Sequence, residues 1–533
     1  MRIENHSRLS DLSLEVRRHL IVVGPNEAGK TSLLRCLDLV LGASTAALYA
    51  RVAKEDFADP SIPFVIEVDL GDFSPDERAV FPDEIRIGAG RSQTLTIRLE
   101  ASLDAGETIN IKRFSPGSGT KRQLSRVQVE ALGWKMVGAA HSDARGFRGV
   151  RNGVQRDILE SIELGEEEQL FRDAFGGIEA ILKSSTVLEG LRARLAAQLS
   201  RAVPAKIQTD DLEFVHASTA EDDLLADVRL RILRGGTSRS ITEQSDGARA
   251  LFAIAMYDLV SEAANIVAVD EPEIHLHPTS QRSLASLLRE SESQKIIATH
   301  SPDIVGAFPP RDIVVIRAGG SVVQPSPTFL DGKAKLAAHW WVRGKLEPLT
   351  SKQVILVEGV TDRIVLQRAA ELLDIDLDRL GISIVETDGG NEVPNARKIF
   401  GPEGFDIPLL ILIDDDAKTK TAKKLGISEA ELRDHGVEIA DPDLEEEYVA
   451  AIGAAELWHR LEASREFSRN QLRKCEATGL EGDRTVADVA KFCRDRNHKV
   501  QASLVVADTL TADEAAGLPS ISALFDRMNL AQQ

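Results

Sequence analysis

Two sets of residues in this chain of 533 have the types and spacing for phosphate chemistry. The first is Gly24-Pro25-Asn26-Glu27-Ala28-Gly29-Lys30-Thr31, followed by Ser32. It reads G-x-x-x-x-G-K-T. In such a loop the backbone N–H groups wrap phosphates, the lysine reaches the β- and γ-phosphates, and the threonine hydroxyl holds Mg²⁺. Gly24, Asn26, Gly29, Lys30, Thr31 and Ser32 are therefore the expected nucleotide contacts, with ATP and Mg²⁺ as cofactors. The second set is acidic: Glu358 and Asp362, then Asp414-Asp415-Asp416. Glu358, Asp362, Asp414 and Asp416, once gathered, would repel one another unless a divalent cation neutralised them. Mg²⁺ or Mn²⁺ would do so. Two such ions suit in-line cleavage of a phosphodiester, with Glu358 assisting the attacking water.

The elements needed to position both sets are visible. Leu20-Ile21-Val22-Val23 reads as a buried strand before the loop, and Leu33-Leu34-Leu37-Leu41 as a helix after it. Val354-Ile355-Leu356-Val357 is a strand that delivers Glu358; Gly359 permits a turn, and Asp362 falls on the first turn of the next helix. Ile382-Ser383-Ile384-Val385-Glu386 and Pro408-Leu409-Leu410-Ile411-Leu412-Ile413 read as further strands. If the last one continues through the acids, Asp414 and Asp416 share a face and Asp415 points away. The plain alternatives are a glycine-rich helix cap for the loop and solvated turns for the acids. The apolar strands before both weigh against them.

Three more segments complete an ATPase. Ile266-Val267-Ala268-Val269-Asp270-Glu271 ends a strand in two acids, Asp270 for Mg²⁺ and Glu271 for the attacking water. Ile296-Ile297-Ala298-Thr299-His300 ends another in a histidine that would sense the γ-phosphate. Ser245 and Gly247 open a helical run and form a second anion site, expected to face a nucleotide held by another subunit. The order of P-loop, S-D-G, D-E-P-E, H-L-H-P and T-H-S-P resembles an ABC-type ATPase of the SMC-like branch. That resemblance implies two heads clamping ATP, gives His275 and His277 a structural role, and puts Asp56-Phe57 where the family keeps a coupling loop.

Between these motifs, Phe64–Leu70, Thr94–Leu99 and Glu107–Lys112 alternate apolar and polar residues and predict antiparallel strands. Residues 155–205 carry helical spacing and predict an inserted hairpin that packs on the head or pairs two chains. A net charge of −20 argues against a nucleic-acid binder on the whole-chain level. Basic clusters such as Lys112-Arg113 read first as solvated faces. Cys36, Cys475 and Cys493 have no metal-knuckle spacing and suggest no disulfide framework. With no bilayer-length apolar run and no apolar leader in residues 1–20, the expectation is a cytoplasmic protein without a membrane partner.

E-G-x-x-D followed by D-x-D at strand ends resembles a TOPRIM domain. An SMC-like head followed by TOPRIM in one chain resembles the OLD-family (overcoming lysogenization defect) ATP-dependent endonucleases over nearly the whole length. The resemblance implies metal ligation by Glu358, Asp362, Asp414 and Asp416. It adds a further acid at Glu445, beside Glu446 and Glu447 as alternatives, and a charge-neutralising lysine at Lys499, whose alternative is a surface lysine. The expected fold is α/β: residues 1–348 as an ABC-type P-loop ATPase with antiparallel strands and a helical insertion, then 349–533 as a Rossmann-like TOPRIM domain. The expected function is an ATP-regulated, metal-dependent DNA endonuclease or nickase, in prokaryotic anti-phage defence or DNA processing. It would self-associate as a dimer or higher, with a partner encoded nearby. The rivals are an ATP-gated clamp that does not cut and a nuclease for RNA, including tRNA.

Overall fold

The computed structural model describes residues 1–138, 264–330 and 346–530 apart from a few loop positions, the strands 231–234 and 237–240, and positions 186 and 189. The expected insertion at 155–205, His275 and the Ser245–Gly247 segment lie outside the described residues. The chain forms two compact units, Met1–Leu132 with Ile296–Gln533, and Gly133–Lys295.

In the first unit, β1 (Leu20–Val23) is followed by the phosphate loop and by α1 (Lys30–Leu41). The alternating segments are antiparallel strands: β2 (Phe64–Leu70), β3 (Gln93–Leu103) and β4 (Ile109–Phe114). β3 pairs with both of the others, Ile66 opposite Leu99 and Ala101 opposite Ile111. Period two puts Arg113 on the inner side, and its guanidinium donates to the carbonyls of Leu39 at 3.3 Å and Ala43 at 2.6 Å. This corrects the solvated reading of Lys112-Arg113: Lys112 is exposed, while Arg113 is buried and holds the end of α1. Burial lowers the Arg113 pKa to about 10, and Asp38 pulls the other way.

In the second unit β5 (Trp134–Gly138) and β6 (Ile266–Asp270) pair in parallel, Trp134 beside Ile266 and Gly138 beside Asp270. Gly133 stands at φ 63°, and a Cβ there would lie 2.6 Å from Asn265 Nδ2. The amides of Asn265 and Ile266 donate to its carbonyl.

Back in the first unit, residues 296–298 of β7 (Gln294–Ala298) and β8 (Ile313–Ile316) flank β1, both parallel to it. Residues 20–23, 296–298 and 313–316 are fully enclosed. Continuous burial of this kind is the mark of a parallel sheet covered on both faces. The turn after β8 carries Gly320, where a Cβ would lie 2.3 Å from the Arg8 carbonyl oxygen. Ser10 N donates to the Gly320 carbonyl at 3.2 Å.

The C-terminal part of that unit is a four-stranded parallel sheet. Its strands are β9 (Gln353–Val357), β10 (Ile382–Glu386), β11 (Leu409–Asp414) and β12 (Val437–Ala440), in the order β10-β9-β11-β12. Helix α2 (Val360–Leu372) follows β9, α3 (Asp415–Leu425) follows β11 and α4 (Leu444–Ile452) follows β12; α5 (Lys499–Thr509) packs on α2. A single apolar core joins Ile355, Leu366, Leu412, Tyr448, Val489, Val506 and Phe525. The turn after β8 touches this part directly. Arg317 Nη2 donates to the carbonyl oxygens of Phe405, at 2.9 Å, and Asp406, and the rings of Phe329 and Phe405 meet edge to face at 5.8 Å. Among the described residues no helix is long and apolar enough to cross a membrane.

Candidate active sites

The nucleotide loop leaves β1 at Val23 and enters α1 at Lys30. Its shape depends on two glycines. Gly29 stands at φ 111°, and a Cβ there would lie 2.7 Å from Leu9 Cδ2; one on Gly24 would lie 2.3 Å from the Ile316 carbonyl oxygen. Lys30 is buried, and its Nζ donates to the carbonyls of Gly24 at 3.0 Å and Pro25 at 2.8 Å. The ammonium thus bridges the loop's own backbone. No side chain caps α1 and no acid stands in its first turn, so this helix start suits an anion. Thr31 and Ser32 follow in the first turn and are half-buried; Asn26 is exposed at the loop's tip. His300 lies just past β7, after Thr299, whose amide donates to the Val22 carbonyl at 3.1 Å. Asp56 accepts from Arg35 of α1 at 3.1 Å and from Ala53 N at 2.9 Å.

In the second unit Asp270 ends β6 and is buried. Glu271 follows at φ 49°, a conformation that costs a non-glycine residue energy and tends to occur where a side chain is aimed for function. His277 caps the helix Pro278–Glu290, its Nδ1 accepting from Thr279 N.

The acids of the C-terminal part meet at the carboxyl ends of β9 and β11. Glu358 Oε1 accepts from the Asp414 amide at 3.0 Å, which ties the two neighbouring strand ends together. Asp362, in the first turn of α2, reaches back to Gly359 N at 2.8 Å. Asp414 Oδ1 accepts from Leu444 N, at the start of α4, at 3.2 Å. Glu445 is 3% exposed and its Oε1 lies 3.1 Å from Lys499 Nζ at the start of α5. The three adjacent acids are thereby separated: Glu446 pairs with Arg494 at 3.3 Å, and Glu447 accepts from Ser520, while Glu445 faces the cluster.

The electrostatics report the crowding. Burial, followed by the charges of Glu358, Asp362 and Glu445, pushes the Asp414 carboxyl up to about 8, against the pull of Lys499. Asp362 is raised as well, first by burial, with Glu445 adding and Lys499 opposing. Burial works against the Lys499 ammonium, yet Glu445 and then Asp362 outweigh it and raise its pKa.

The expectation for Asp416 rested on strand alternation, and that premise does not hold. β11 stops at Asp414 and α3 begins at Asp415, so Asp416 stands exposed on a helical turn. Sequence reasoning also missed Arg494, which pairs with Asp443 and Glu446 and fixes the start of α4. Nothing in its spacing signalled this. Among the described residues no three His, Cys, Asp or Glu side chains already converge as ligands of one ion; amides and Lys499 engage the oxygens instead. The donor set is nevertheless all hard oxygen, and Asp414 is raised by burial and then by the negative charge of its neighbours. Both fit a divalent cation of the Mg²⁺ or Mn²⁺ class.

Residues 349–416 match a family model described as "Overcoming lysogenization defect protein-like, TOPRIM domain". Residues 140–306 match one described as "AAA domain, putative AbiEii toxin, Type IV TA system". The chain is 24% identical over 443 residues to a protein of Thermus scotoductus named OLD nuclease, covering 78% of this chain and 81% of that one. It is 20% identical over 450 residues to Endonuclease GajA of Bacillus cereus, covering 79% and 75%. Among solved structures, the C-terminal region of the Burkholderia pseudomallei OLD protein is 24% identical, with a TM-score of 0.29, covering 34% of this chain and 99% of that one. The chain combines an AAA-type ATPase domain with an OLD-like TOPRIM domain.

Proposed function

We propose that this protein is an ATP-regulated, divalent-metal-dependent nuclease that cuts or nicks DNA, with a role in prokaryotic anti-phage defence or DNA processing. One observation carries the reading: Glu358, Asp362, Asp414 and Glu445 gather at strand ends with Lys499 beside them. The names of the relatives, a nuclease and an endonuclease, point the same way. Glu358, Asp362, Asp414 and Glu445 would hold the cation, with Asp416 supplying an outer carboxylate from the first turn of α3. Once bound, a divalent cation would polarise the scissile phosphate and ease ionisation of the attacking water. Glu358 would accept the water's proton, and Lys499 would neutralise charge that develops on the phosphate.

In the ATPase part, Gly24, Asn26, Gly29, Lys30, Thr31 and Ser32 would cradle the triphosphate, and Thr31 would be a Mg²⁺ ligand; by their motifs, Asp270 would be a Mg²⁺ ligand, Glu271 would orient water and His300 would sense the γ-phosphate. Ser245 and Gly247 would close the site of a second copy, which makes the working form at least a dimer. Residues 1–348 then act as the ATPase domain and 349–533 as the nuclease domain, in a cytoplasmic protein.

The test is supercoiled plasmid with Mg²⁺ or Mn²⁺, with and without ATP. Wild type should relax or linearise it, Glu358→Ala should not, and Lys30→Ala should lose nucleotide binding and, with it, the response of cutting to ATP. Cleavage that survives Glu358→Ala would sink the assignment. A second reading, an ATP-gated clamp that does not cut, is favoured by the engagement of Glu445 with Lys499. ATP hydrolysis without any cutting of DNA or RNA would select it.

A further inference from the structure

Helix α3 starts at the acidic cluster, with Asp414 as its cap, and leads away from it. Ala417, Thr421 and Ala422 are buried, which turns the opposite side to solvent. At about 100° per residue, Asp416, Lys420, Lys423 and Lys424 fall in one stripe, and all four are exposed. Lys418 lies off the stripe, near Asp415 at 3.6 Å and Glu429 at 3.8 Å. Glu429 is also held by Thr419 at 2.7 Å, on the flank rather than the stripe. The neighbouring helix Val393–Phe400 packs on α3 and ends with Arg397 and Lys398.

Lysines in a last turn complement the helix dipole; Lys423 and Lys424 stand there, and Lys420 carries the stripe one turn nearer the acids. In a chain with a net charge of −20, a lysine stripe beginning at a candidate phosphodiester site is a local reversal of sign. The scale also fits. Lys420 and Lys424 lie about 9 and 15 Å along the axis from Asp414, and a B-DNA strand advances about 3.4 Å per nucleotide.

We infer that the Lys420–Lys423–Lys424 stripe of α3 is a docking track for the DNA backbone, seating phosphates about three to four nucleotides from the one that is cut. The inference rests on the nuclease reading and adds where the substrate lies. Ammonium groups contact phosphate as point charges and read no base, so the track supplies affinity and register without sequence preference.

The test uses the full chain, a 30-base-pair duplex and Ca²⁺ in place of Mg²⁺, with binding measured by fluorescence anisotropy across a salt series. Each lost phosphate contact lowers the slope of log K against log salt by about 0.9. Lys420→Ala/Lys423→Ala/Lys424→Ala should therefore flatten the slope by up to about 2.7 and slow plasmid cutting, with ATP hydrolysis unchanged. The triple lysine-to-arginine variant should keep the wild-type slope. An unchanged slope in the alanine variant, while wild type binds and cuts, overturns the track alone. A change seen with duplex RNA but not DNA overturns the choice of substrate. A wild type that neither binds nor cuts DNA removes the nuclease reading and the track with it.

Discussion

Asp414 feels most of the charge in the acidic cluster, and its behaviour with pH follows from that. An unfolded aspartate loses its proton near 4, whereas the folded Asp414 carboxyl is pushed up to about 8. Between those values the folded protein binds more protons than the unfolded one. Metal-free stability should therefore fall as pH rises through that window. We expect the melting temperature without divalent metal to drop between about pH 5 and pH 8.5, and Asp414→Asn to flatten the drop. An equally steep drop in the variant would refute the assignment. At this scale the sequence was partly legible. Glu358 and Asp362 could be placed because an apolar strand, a glycine and a helix start each left a local signature. Asp416 could not, because the strand stops at Asp414 and a helix starts at Asp415, a break that three consecutive acids do not signal. The choice of Glu445 over Glu446 and Glu447 needed tertiary partners, Lys499, Arg494 and Ser520, which lie far along the chain.

The strand-loop-helix around Gly24–Lys30 was readable because its turn chemistry is local. Gly29→Ala should fail for two reasons: its φ of 111° is unfavourable to any side chain, and Leu9 blocks the methyl. A loss of at least about 1 kcal/mol and of ATP binding is expected, measured by chemical denaturation and calorimetry. Normal ATP affinity in that variant would show that the loop tolerates a side chain there. Arg113 tests a second element. Arg113→Met keeps the apolar stem but leaves the Leu39 and Ala43 carbonyls without their donor. A cost of about 1–3 kcal/mol is expected in denaturant titrations, and a change below about 0.5 kcal/mol would refute the capping role. The alternating segment read from the sequence stops at Lys112, whereas β4 runs on to Phe114; treating Lys112-Arg113 as one basic cluster overlooks that in a strand two adjacent residues never share a face.

The order of motifs along the chain carried the broad plan, an ATPase part followed by a TOPRIM part. What no motif disclosed was how the N-terminal part meets the C-terminal one, because that meeting is made by a turn and two carbonyls. Arg317 from the turn after β8 holds the backbone at Phe405 and Asp406, three residues before β11. Arg317→Ala should raise hydrogen exchange at residues 405–407 and leave β1 protected, read by mass spectrometry. Equal protection in both proteins would make the contact incidental.

A guanidinium that grasps main-chain oxygens is blind to the side chains above them. Exchange of Asp406 for asparagine, which tolerates its φ of 49°, would leave that hold intact, and Phe405 is fixed separately by its buried ring, whereas a deletion of one position would drag the whole of β11, with Asp414 at its far end, out of step with its neighbours.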